Sequence, residues 1–108
     1  MHEKALMDDL MAKILGVAAA EGGARVARVT VWLGALSHFT PEHFREHFDD
    51  AARGTLAEGA DVEATLDDDL SDPRAQGVVL ESVSVAVTVA LSTSLITMSV
   101  RFSGVSSV

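Results

Sequence analysis

The chain opens Met1-His2-Glu3, three residues that can chelate a metal ion without any fold. The α-amine of Met1, the backbone nitrogen of His2 and the His2 Nδ1 can bind together, the first two closing one small chelate ring and the imidazole a second. The Glu3 carboxylate or backbone nitrogen can fill the remaining position. Such a site needs an ion that accepts square-planar nitrogen coordination and can displace an amide proton. That favours Ni(II) or Cu(II) over Zn(II) and disfavours magnesium and calcium. His2 is also bulky for routine removal of an initiator methionine, so the sequence predicts that the Met1 amine is retained.

A second set of ligand-type residues lies further on. His43 and His47 stand one helical turn apart, so on a helix they share a face and could reach one ion. Glu42, Glu46 and Asp50 flank them as oxygen donors. The run His43-Phe44-Arg45-Glu46-His47 lacks the His-Glu-x-x-His order of a zinc protease. His47 falls beside Phe44 and Phe48 on a helical wheel and His43 nearer solvent, so two ordinary helical histidines are the plainer reading. His38 is a third candidate ligand with less support. The acids Asp67, Asp68, Asp69 and Asp72 lack the glycine and distal glutamate of a calcium loop and read as a solvated turn. Gly54-Thr55-Leu56-Ala57-Glu58-Gly59 has no Lys-Ser/Thr ending and is no nucleotide loop. With no cysteine and no serine in a nucleophile elbow, the sequence presents no catalytic centre, and a non-enzyme is expected.

The elements that must position these residues are well marked. Met7, Leu10, Met11, Ile14, Val17 and Ala18 recur at helical spacing, predicting a helix over residues 4–21 that Gly22-Gly23 ends. Residues 25–34 alternate Val29, Val31 and Leu33 against Arg28, Thr30 and Trp32, a strand whose second face Trp32 marks as partly covered. Thr40 is a good N-cap and Pro41 a good first helical residue. Phe39 and Phe44 take the positions of a hydrophobic staple, Phe44, Phe48 and Ala51 form the inward stripe, and Gly54 ends the helix. Val62, Ala64 and Leu66 alternate with Asp61, Glu63 and Thr65 in a strand over 60–66 with one wet face. From Val78, alternation of Val83, Val85, Val87, Val89 and Leu91 predicts another strand. The helix between 34 and 60 implies parallel pairing of the first two strands, and the short turn after Leu66 implies a hairpin between the second and third.

The expected fold class is therefore α+β, a three-stranded mixed sheet from 25–34, 60–66 and 78–91 with two helices on one face. Residues 1–91 read as the metal-binding domain and 92–108 as a Ser/Thr/Val-rich tail of unassigned structure. Residues 82–100 carry no charge, yet eight of those nineteen are Ser or Thr, which fits a strand better than a membrane helix. A net charge of −8 argues against nucleic acid and suits a cationic metal or a basic partner surface. No basic stretch followed by an apolar run opens the chain, so a cytoplasmic location without membrane attachment is expected. An exposed strand at 82–91 offers an edge for self-association.

Taken together, Met1-His2-Glu3 ahead of a helix, Leu33-Gly34-Ala35-Leu36-Ser37, Pro41-Glu42, Phe48-Asp49 and Arg53-Gly54-Thr55-Leu56-Ala57-Glu58-Gly59-Ala60 resemble the HypA/HybF family of nickel-incorporation proteins over roughly residues 1–85. The resemblance implies a metallochaperone that binds Ni(II) through His2, with Met1 and Glu3 beside it, and delivers it during maturation of [NiFe]-hydrogenase or urease. It implies a GTPase partner of the HypB type and the hydrogenase large subunit or urease apo-enzyme as recipient. One departure is large. The family inserts a zinc ribbon with two CxxC pairs between its last two strands, and this chain has no cysteine, so no structural zinc is expected. Two alternatives stand beside nickel delivery: an interaction module of the same fold that has lost it, and an enzyme built on a His43/His47 metal site.

Overall fold

The computed structural model describes the backbone of residues 3–91 and 94–107 and the side-chain environment of residues 4–86. Its elements run α1 (Glu3–Ala20), β1 (Arg25–Leu33), α2 (Pro41–Ala52), β2 (Asp61–Leu66), β3 (Val78–Leu91) and β4 (Ser94–Ser107). The strands form one mixed sheet in the order β2-β1-β3-β4. The expected two helices and mixed sheet from the first three strands are present. The described part of the tail adds the fourth strand.

Helix α1 buries Leu6, Met7, Leu10, Met11, Ile14 and Ala18, one stripe set by the helical period. Its outer face carries the pairs Lys4–Asp8 at 3.1 Å and Asp9–Lys13 at 3.2 Å. The helix ends in a Schellman turn: the Gly23 amide donates to the Ala18 carbonyl and the Gly22 amide to that of Ala19, both at 3.0 Å. Gly22 supplies the φ of 76° the turn requires. At the start of α2, Thr40 accepts from the His43 amide at 3.1 Å and Pro41 follows in the first turn. Phe39 and Phe44 meet edge to face at 5.6 Å, closing the staple. The buried residues of α2 are Phe44, Phe48 and Ala52, so Ala52 takes the place in the stripe expected of Ala51, which is only half-buried.

These helices cover the sheet face formed by Val26, Val29, Val31 and Leu33 of β1 and Val78, Leu80, Val83 and Val85 of β3, all buried. Strand β1 pairs with β2 in parallel, Val29 opposite Val62 and Val31 opposite Ala64. Only the upper part of β2 reaches the core: Val62 and Ala64 are half-buried, and Leu66, expected on the inward face, is 46% exposed. On β2 the Arg45 side chain of α2 donates from Nε to the Val62 carbonyl at 3.3 Å, occupying an acceptor on an edge strand that would otherwise be open to pairing.

The sheet order corrects one expectation. β2 and β3 do not form a hairpin, because β1 lies between them and pairs antiparallel with β3. Pairing beside β1 sets the buried apolar residues of β3, Val78, Leu80, Val83 and Val85, next to Val26, Val29, Val31 and Leu33 of β1 under the two helices, whereas the inward residues of β2 are only half-buried or exposed. Residues 67–77 make the crossover, held as the Gly34 amide donates to Gly77 at 2.9 Å and the Leu36 amide to Ala75 at 2.7 Å. Arg74 of this crossover lies over the Trp32 ring, its guanidinium carbon 4.6 Å from the ring centroid. The cover that Trp32 called for on the second sheet face thus comes from the crossover.

Strand β4 runs antiparallel to β3 from Val79↔Ser107 to Leu91↔Ser94. β1 reaches only as far as Arg25↔Ala86, so residues 87–91 pair with β4 on one side and extend past β1 on the other. The edge considered for self-association at 82–91 is therefore taken by β4 along its length, leaving only the 87–91 segment without a β1 partner. No helix among the described residues is long and apolar enough to cross a membrane.

Candidate metal centre

Of the residues assigned to the terminal chelate, Met1 and His2 lie outside the described residues. Glu3 is the first residue of α1. That helix packs against β1, β3 and α2.

The second set is brought together. His43 and His47 stack with ring centroids 4.6 Å apart and planes inclined by 13°, and their Nε2 atoms are 2.7 Å from each other. The nitrogens are much closer than the centroids, so each ring presents its Nε2 corner to its neighbour. At that separation one ring carries the proton on Nε2 and donates it while the other accepts. Both side chains are half-buried. Phe39, 4% exposed, stands edge-on to both, at 5.8 Å from the His43 ring and 6.2 Å from that of His47. The sequence showed Phe39 only as half of a staple. Its second contact had no local signal, because Phe39 precedes the N-cap Thr40 and lies outside the helical period of α2.

The other candidates separate from this pair. His38 is exposed in the loop before α2 and holds a φ of 67°, a left-handed backbone that histidine adopts more readily than most residues. Asp50 pairs with Arg53 at 2.8 Å, and Glu46 is exposed. Among the described residues no group of three or more His, Asp or Glu side chains converges on one point. The acidic turn satisfies itself: Asp67 accepts from the amides of Asp68 and Asp69, Asp69 from Ser71, and Asp72 from the Arg74 amide at 2.7 Å. The Arg74 guanidinium hydrogen-bonded to Asp72 holds its carboxyl below the usual carboxylate range.

Residues 1–68 match the family model described as hydrogenase/urease nickel incorporation, metallochaperone, hypA. The chain belongs to the HypA family. It is 35% identical over 83 residues to the hydrogenase maturation factor HypA of Methylocella silvestris, an alignment covering 75% of this chain and 74% of that protein. To the factor of the same name from Acidithiobacillus ferrooxidans it is 38% identical over 63 residues, covering 58% and 56%. For the Pyrococcus furiosus factor the figures are 39% over 62 residues, covering 57% and 45%. The chain thus spans about half the length of the Acidithiobacillus and Pyrococcus relatives. The match takes in α1, β1, α2 and β2, the scaffold that carries both candidate metal sites. Between β2 and β3 this HypA-family chain has the cysteine-free crossover 67–77.

Proposed function

We propose that this chain binds Ni(II) through the Met1 amine, the His2 amide nitrogen and imidazole, and Glu3, and delivers it during maturation of [NiFe]-hydrogenase or urease. The observation that carries this reading is the family match, which begins at residue 1 and includes the chelating tripeptide. A chelate made from a terminal amine, one amide and one side chain needs no repacking of a core to bind or release its ion. A carrier that must surrender its cargo on contact benefits from that economy. The partners are a GTPase of the HypB type and the hydrogenase large subunit or urease apo-enzyme, and the setting is the cytoplasm.

A nickel titration tests it. His2→Ala, or residues appended before Met1, is expected to remove the strongest nickel binding and leave the fold intact. Unchanged nickel affinity in a chain with a blocked amine would refute the assignment. A second reading, an interaction module of the same fold without nickel delivery, is favoured by the cysteine-free crossover where the family carries its zinc ribbon. Tight nickel binding without transfer to a recipient apo-enzyme would select it.

A further inference from the structure

We propose that His43 and His47 form a second metal site, distinct from the terminal chelate, that takes a borderline divalent ion of the zinc or nickel class through both Nε2 atoms. The proposal does not rest on the assignment of Met1 and His2.

The two Nε2 atoms stand close to the spacing at which one ion can hold both. An ion with metal–nitrogen bonds of about 2.0–2.1 Å in tetrahedral or square-planar coordination needs its two nitrogens roughly 2.8–3.4 Å apart. The Nε2 atoms stand at 2.7 Å, so a few tenths of an ångström of ring movement admits the ion. The Nε2 proton shared by the pair shifts to Nδ1 as the metal takes both lone pairs, since neutral imidazole can carry its proton on either nitrogen. Imidazole nitrogen is a good ligand for zinc, copper and nickel and a poor one for magnesium or calcium.

The rings are also held in place. Phe39 packs edge-on against both and is itself locked against Phe44 at 5.6 Å, a residue with no exposed surface. His43 further donates its backbone amide to the N-cap Thr40, which anchors the first turn of α2. Two side chains whose rotamers are already fixed lose little freedom on binding, which favours affinity without any new contact. Water or a group from a partner completes the coordination, so the site is open and exchangeable.

The test uses Zn(II) alone with the His2→Ala chain, which removes the terminal imidazole and leaves His38, His43 and His47 as the only histidines. Imidazole nitrogen NMR during the titration is expected to move the Nε2 resonances of His43 and His47 together, with saturation at one equivalent, before those of His38. His43→Asn or His47→Asn alone is expected to weaken zinc binding by at least about tenfold, the loss that removing even a metal's outer partners can cause. His38→Asn is expected to leave it unchanged. Static His43 and His47 nitrogens at one equivalent of zinc would overturn the proposal, as would undiminished affinity in either Asn variant. The NMR arm uses unaltered helix residues, so it decides the question even if a variant in α2 fails to fold.

Discussion

Gly34 lies directly under the backbone of Ala75: a β-carbon added at Gly34 would strike the Ala75 carbonyl oxygen and carbon and the Arg74 carbonyl oxygen. This contact is where the crossover passes the end of β1. Gly34→Ala is expected to destabilise the chain by about 1–3 kcal/mol, the cost of overpacking a fitted site. Gly16, mid-helix with nothing within 4 Å of its added β-carbon, is the contrast. Gly16→Ala is expected to stabilise by about 0.5–1 kcal/mol through helix propensity. Urea midpoints moving in opposite directions would bear this out; two shifts of the same sign would not.

The Asp72–Arg74–Trp32 stack predicts an acid-side optical transition. Arg74 lowers the Asp72 carboxyl from its ordinary value of 3.8, so its contribution to folding is fully present above that value. It is lost as pH falls through the lower, folded-state value. Emission from Trp32, the single tryptophan, should hold steady down to about pH 4 and change only below it. In Asp72→Asn that step should vanish while the near-neutral spectrum already resembles the loosened state. An unaltered acid profile in the variant would separate Trp32 from this pair.

Metal removal should leave the fold standing. The core is the cluster of Leu10, Ile14, Val29, Val31, Phe44, Phe48, Val83 and their neighbours, and the chain has no cysteine to bind a structural zinc. EDTA is expected to leave the thermal midpoint unchanged, whereas Ile14→Ala should cost about 2–5 kcal/mol and Phe48→Ala about 3–5 kcal/mol. A melt lowered by tens of degrees in EDTA would show a structural metal instead.

Nickel binding at Met1-His2 should release protons, because the amine and the amide must both lose theirs. Between about one and two protons per ion are expected near neutral pH, given an α-amine that titrates at about 7.7–8.0. Affinity should rise with pH through that range. Calorimetry in buffers of different ionisation enthalpy measures the count, and a value of zero would exclude the amide-bound chelate.

Much of this molecule was legible in the order of its residues, because local signals act over one or two turns of chain. Thr40-Pro41 with Phe39 and Phe44 marked the start of α2, Gly22-Gly23 the end of α1, and Val29, Val31 and Leu33 the inward row of β1. The one-turn spacing of His43 and His47 was visible for the same reason: on a helix it puts both on one face whatever surrounds them. Tertiary structure decided what depends on distant partners. A strand's neighbours are chosen by non-local pairing, so only the fold placed β1 between β2 and β3, left Leu66 exposed and laid β4 along β3. Likewise, spacing put two imidazoles on one face, but the packing of Phe39 against Phe44 and both histidine rings accompanies their close approach, with Nε2 atoms at 2.7 Å.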